Sequence, residues 1–344
     1  MVKRGWLRML SAMLSLMLIS GLVGCSASDG IPGGTADGKN STADISQAAN
    51  DTERDDSMNT ETEAAVALLP TSAPTAEQIA QHEKILLWQE DHIPYLIEDD
   101  EKGLLPTIRA YLCEGADTGV VIFPGGGYFQ LSDEGEGTEV AKAYNEQGFS
   151  AFVVNYRYEP YDGKATLADG LRAIQYVRYF AEDFGLNPDK IAVCGFSAGG
   201  HLAVMTAEQS AENIAGDMAG AVRSTPDACV LVYPVTTLGD GTYETMPRIF
   251  LGDKQQDADE IAKYSYPYNL SAMPSTFICY SVLDTTVDYQ KNSIAFADAM
   301  KAIGGDVERV EYTDGTHGGG LGKQFASFSG WHADSVAFLK ERGF

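Results

Sequence analysis

Short runs rich in Val, Ile, Tyr and Phe alternate with longer segments of helical period along most of the chain. TIRAYLC, TGVVIFP, SAFVVNY, KIAVCGF, ACVLVYP, STFICYSVL and VERVEYT read as strands, because branched and aromatic side chains suit a pleated surface. Between them, EVAKAYNEQG, TLADGLRAIQYVRYFAEDFG, AGGHLAVMTAEQS, DYQKNSIAFADAMKAIGG and WHADSVAFLKERG place apolar residues three and four apart, which reads as helix. Several strands are apolar on both faces. The pattern therefore predicts one α/β domain over 75–344, a mostly parallel sheet with helices on both sides.

The chain before that domain is patterned differently. MVKR and Arg8 form a basic start, MLSAMLSLMLIS is an apolar run short for a membrane span, and LVGC follows. Leu22-Val23-Gly24-Cys25 resembles a bacterial lipobox, in which Cys25 becomes the lipidated first residue of the mature protein. The expectation is a signal peptide over 1–25 and an extracytoplasmic bacterial lipoprotein, held at the membrane by two or more acyl chains. A plain cleaved signal or a transmembrane anchor are the alternatives. From Ser26 to about Glu63 the chain is mostly Ser, Thr, Gly, Ala and Asp, too poor in large apolar groups to offset chain entropy. Residues 26–74 therefore read as a disordered acidic tether, with Ala64–Leu69 left unassigned.

Composition changes this picture in two respects. A formal net charge of −25 over 344 residues argues against nucleic acid, whose phosphates it would repel. Cys113, Cys194, Cys229 and Cys279 lie in or beside strand-like runs, where buried free thiols are expected over disulfides. No Cys/His cluster has metal-ligand spacing.

Candidate chemistry centres on Gly195-Phe196-Ser197-Ala198-Gly199, a G-x-S-x-G set between the strand KIAVCGF and the helix AGGHLAVMTAE. A tight strand-to-helix turn lifts a serine hydroxyl clear of the backbone, and the flanking glycines remove clashing Cβ atoms. Ser197 is the expected nucleophile. Upstream, VVIFPGGGYFQLSD ends a strand in glycines that could present N–H groups to an oxyanion, so Gly126 and Gly127 with Ala198 are the expected donors.

An acid and a base should follow the nucleophile in that order. STFICYSVLDTTVD places Asp284 at a strand end, and VERVEYTDGTHGGGLG places His317 on a glycine-rich loop after the next strand. His317 would take the serine proton, and Asp284 would fix its tautomer. His201, one turn into the helix, should point away from Ser197 and pack or make a local bond. His332 opens the last helix, and His82 and His92 precede the sheet. Asp288 and Asp314 are the alternatives to Asp284 as the acid, but read as helix-cap and turn residues, and Glu134 and Glu136 as a solvated loop.

In FPGGGY, GFSAFVVNYRY, GFSAGGHLA, YSYPYNLSAMPSTFICYSVLDTTV and DGTHGGGLG, from about residue 105 onward, the chain resembles the α/β-hydrolase superfamily. The resemblance is to its bacterial acetyl esterase and acetylxylan esterase group. It implies an α/β-hydrolase fold, a Ser197–His317–Asp284 triad, oxyanion donors at Gly126, Gly127 and Ala198, and no metal or organic cofactor. It also implies a serine carboxylesterase acting on short-acyl esters such as acetyl groups of plant polysaccharides or oligosaccharides. Related lipases carry His-Gly-Gly-Gly where Pro124-Gly125-Gly126-Gly127 stands here, so the donors are kept and that histidine's bonds are not. Val235 to Met273 allows a small lid, whose Tyr264, Tyr266 and Tyr268 either line a cleft or pack among themselves. A prolyl-oligopeptidase-like peptidase would want an N-terminal propeller, and a non-catalytic binding lipoprotein would have lost one of the triad groups.

Overall fold

The structure is a computed structural model that describes residues 72–208, 222–243 and 245–344. The expected signal peptide, Cys25 and nearly all of the tether lie outside the described residues. Among those described, the sheet has eight strands in the order β1-β2-β4-β3-β5-β6-β7-β8. These are β1 (Ile85–Leu86), β2 (Thr107–Tyr111), β3 (Gly119–Phe123), β4 (Ser150–Asn155), β5 (Ile191–Phe196), β6 (Ala228–Val232), β7 (Ser275–Ser281) and β8 (Val307–Tyr312). β1 and β2 pair antiparallel with their neighbours, and every later pairing is parallel. This is the α/β-hydrolase architecture, and each strand-like run in the sequence supplies one strand of it. The two-residue β1 was too short to announce itself, and it places the sheet's start before His92.

Alternation along the strands builds two cores. Val121 and Phe123 of β3, Val193 of β5 and Leu231 of β6 face one apolar cluster, while Val120, Ile122, Cys194 and Val230 face the other. A period of two sends neighbours to opposite faces, so a strand buried on both must be apolar throughout. Helices α1 (Ala76–Ala80), α2 (Glu139–Glu146), α3 (Gly163–Tyr179), α4 (Ala198–Glu208), α5 (Thr245–Leu251), α6 (Ala258–Lys263), α7 (Ala295–Ala302) and α8 (Trp331–Glu341) complete the fold. α3 starts earlier than the pattern suggests, because Asp162 caps it through the N–H groups of Lys164 and Ala165. It also stops at Tyr179, short of the expected 185.

Just after β4, Arg157 forms a fully buried pair with Asp169 of α3, with both Asp169 oxygens taken by the guanidinium. Trp88 Nε1 and the Arg157 N–H also donate to Asp169, so the charge is compensated where it is sealed. The four cysteines within the described residues are free thiols, three of them buried. Among the described residues, no helix is long and apolar enough to cross a membrane.

Candidate active site

Ser197 sits between β5 and α4 with φ at +51°, a left-handed conformation that a residue with a Cβ adopts only when its surroundings insist. Four backbone bonds do the insisting. Its N–H donates to Val232, and its carbonyl accepts from Gly200, His201 and Val235 at 3.0–3.2 Å. Gly199 is required next to it, since a Cβ there would collide with the Phe123 carbonyl. The elbow therefore follows from the strand-to-helix junction and the glycine after it.

Two loops at the same sheet edge bring the partners. Asp284 follows β7, and its Oδ1 accepts from the N–H groups of Thr286 and Val287 at 2.9 and 3.0 Å. Its Oδ2 lies 2.7 Å from His317 Nδ1, and His317 Nε2 lies 2.8 Å from Ser197 Oγ. A carboxylate cannot donate, so Nδ1 carries the ring proton and Nε2 is left to accept from the serine hydroxyl. The Asp284 side chain is buried and His317 nearly so. The structure thus brings together the three side chains that the sequence order singled out, from positions 33 and 120 residues apart.

Gly126 and Gly127 line a cavity of about 330 Å³ with Ser197, His317, Glu136, Phe129 and Tyr243. Gly126 has φ at +134°, and a Cβ there would run into the Gln130 carbonyl, so the loop's approach to the nucleophile depends on glycine. Ala198 is the first residue of α4, and first-turn N–H groups have no intrahelical acceptor. Its N–H is thus available beside Ser197.

The other candidates lie elsewhere. His201 is fully buried, with Nε2 donating to the Tyr264 carbonyl at 2.9 Å and Nδ1 accepting from Tyr128 Oη at 3.0 Å. Burial lowers its pKa to about 4, so the ring is neutral. His332 packs edge-on against Tyr144, and burial lowers it to about 4 as well. His82 stacks on Tyr111, and His92 pairs with Asp91. Asp288 accepts from the N–H groups of Gln290 and Lys291, and Asp314 from Ala326, Ser327 and Phe328.

One sequence expectation is corrected outright. Glu134 is exposed, but Glu136 is buried, with Oε2 accepting from the Gly125 N–H and Oε1 from Tyr233 Oη, each at 2.7 Å. Burial pushes its carboxyl up from the usual range, while the Tyr233 and Gly125 bonds and nearby His317 pull it back. A two-residue offset inside DEGEG decides between water and core, because a π-type turn over Asp133–Thr138 rotates Glu136 inward. The lid expectation also shifts. Tyr266 is buried beside His201, Tyr264 packs on Phe250 and Tyr268 is exposed, whereas Tyr243, passed over in the sequence, lines the cavity. Among the described residues, no group of His, Cys, Asp or Glu could hold a metal ion.

Comparison with known proteins gives this geometry relatives. The BD-FAE family matches residues 113–300. An acetylxylan esterase of Xylanibacter ruminicola is 30% identical over 210 residues, which cover 60% of this chain and 42% of that protein. Endo-1,4-beta-xylanase B of Butyrivibrio fibrisolvens is 29% identical over 259 residues, covering 71% and 39%. The chain thus spans about two fifths of the length of these curated relatives. The crystal structure of an acetyl ester-xyloside bifunctional hydrolase from Caldicellulosiruptor lactoaceticus is 32% identical with a TM-score of 0.70, covering 76% of this chain and 97% of that one. A butyrate-bound esterase of Thermogutta terrifontis, 23% identical with a TM-score of 0.63 over 78% and 96%, shares the fold.

Proposed function

The chain belongs to the BD-FAE family, and from that premise we propose that it is a serine carboxylesterase. The observation that carries the reading is the continuous line Asp284 Oδ2, His317, Ser197 Oγ, with 2.7 and 2.8 Å contacts. His317 Nε2 takes the hydroxyl proton as Ser197 Oγ attacks the ester carbonyl, and Asp284 stabilises the imidazolium that results. The carbonyl oxygen, now an oxyanion, takes N–H bonds from Gly126, Gly127 and Ala198. Collapse breaks the C–O bond to the alcohol, which leaves with the proton from His317, and an acyl-Ser197 remains. Water then gives its proton to His317, attacks the acyl carbon and releases the acid, restoring the hydroxyl.

The substrate we infer is a short-acyl ester, acetyl first, on a xylan-type polysaccharide or oligosaccharide. A cavity of about 330 Å³ suits a short acyl group, and the names of the acetylxylan esterase and acetyl ester-xyloside hydrolase relatives supply the rest. The enzyme would act outside the cytoplasm, tethered through lipid on Cys25, for which the LVGC motif is the support. Cys25→Ser should then move the protein from the membrane to the soluble fraction; a variant that stays with the membrane would remove the tether.

The deciding experiment is hydrolysis of p-nitrophenyl acetate by the full-length chain and by Ser197→Ala, with circular dichroism to show that the fold is kept. Activity should fall at least about 10³-fold. Equal turnover by the two would end the reading. p-Nitrophenyl esters of rising chain length and acetylated xylan then rank the substrates, and an aminoacyl anilide cleaved in preference would reassign the enzyme to peptides.

A further inference from the structure

Nucleophile, base and oxyanion glycines reach the site on three separate loops, so something must hold those loops in register. One buried pair, Glu136 and Tyr233, links two of them. Glu136 Oε2 accepts from the N–H of Gly125, the residue immediately before Gly126 and Gly127, at 2.7 Å. Its Oε1 accepts from Tyr233 Oη at 2.7 Å, and that hydroxyl oxygen accepts in turn from the Gly320 N–H at 3.0 Å. Gly320 is on the His317 loop, and the Tyr233 ring itself lies 5.0 Å from the His317 ring. Glu136 is 2% exposed and Tyr233 also 2%. Tyr233 has φ at +38°, so the backbone is strained at the point where it carries this link.

We propose that Glu136, acting through Tyr233, is a positioning residue that locks the oxyanion glycines and the His317 loop into one geometry. The inference rests on the esterase reading above. Residue type supports it: two oxygens on one short stem can accept an N–H and an O–H at once, and a phenol can donate to one partner while accepting from another. Burial of a carboxyl costs free energy, and here bonds from the Gly125 N–H and the Tyr233 hydroxyl offset it. Removing the acceptor leaves the Gly125 N–H and the Tyr233 hydroxyl without it in a sealed site. The loops then relax, and a shift of about 1 Å in a donor or base costs about 10²-fold in rate.

The test compares Glu136→Ala, Glu136→Gln and Tyr233→Phe with the parent and Ser197→Ala in the full-length chain. p-Nitrophenyl acetate kinetics and amide hydrogen exchange are the readouts. Glu136→Ala should lose about 10²-fold in kcat with KM within threefold, the mark of an interaction made in the transition state. Glu136→Gln should recover to within about tenfold of the parent, since its amide oxygen can still accept from Gly125. In Glu136→Ala, exchange should quicken in both segments 125–127 and 317–320 and nowhere else in the sheet. Glu136→Ala with parental kcat, Glu136→Gln as slow as Glu136→Ala, or quickening in one loop only would overturn the proposal. Should Glu136→Ala fail to fold, Tyr233→Phe decides: a kcat about tenfold down at constant KM supports the link, and parental kcat ends it. Failure of the esterase reading is a separate signal, because there Ser197→Ala equals the parent while the exchange coupling of the two loops can still be read.

Discussion

His317 and His201 both hold a hydroxyl on one ring nitrogen and an oxygen acceptor on the other, yet only one is built to change its charge. The His317 acceptor is the carboxylate of Asp284, and its hydroxyl is Ser197, at a cavity wall. The His201 acceptor is a neutral carbonyl, its hydroxyl is Tyr128, and the ring is sealed among Phe250, Tyr266 and Tyr128. A carboxylate repays an imidazolium, and a carbonyl in a dry core does not. The difference teaches that a histidine becomes a base through its second partner and its access to solvent, not through its first hydrogen bond.

The comparison breaks most sharply at the base itself. His317→Ala should cost at least about 10³-fold in kcat for p-nitrophenyl acetate, while His201→Gln, once folded, should stay within about tenfold of the parent. Comparable losses from the two variants would erase the distinction. Asp284→Asn should come next, at about 10²- to 10⁴-fold in kcat, because an amide can donate to Nδ1 and so favours the wrong tautomer.

Stability against pH sharpens the other side. With a folded pKa of about 4 against an ordinary 6.5, His201 is neutral in the fold while the unfolded chain binds its proton. Unfolding therefore takes up a proton between those limits, and stability falls as pH drops from about 6.5 to about 4, by about 3 kcal/mol for this group. His332 acts in the same direction. Thermal unfolding followed from pH 7 to 4.5 should show the loss, and His201→Gln should flatten it; an unchanged slope would mean that His201 is not its source. Tyr128→Phe is the mildest change, removing one donor to Nδ1. It should cost about 1 kcal/mol, a fall of about 2–4 °C in Tm, with little effect on kcat.

Much of this was legible in the sequence because the rules involved are local. A run such as KIAVCGF followed by SAGGHLAVM announces a strand, an elbow and a helix within a dozen positions. The order Ser197, Asp284, His317 could be read since each follows a strand that the composition makes plain. Glu136 could not. Its partners Gly125 and Tyr233 are 11 and 97 positions away, and an acidic residue in DEGEG looks solvated by every local criterion. Tyr243 was passed over and Tyr264, Tyr266 and Tyr268 considered for the same reason: local pattern does not say which residue of a long connection meets the cavity.

By itself the sequence determined where the seven longer strands and the helices α2, α3, α4, α7 and α8 fall, and which residue types stand at the strand ends, since period and turn chemistry act between near neighbours. Only the tertiary structure decided which polar groups lose their water. Burial is a property of everything packed around a residue, and the free energy of a sealed carboxyl or imidazole depends on partners contributed by distant loops.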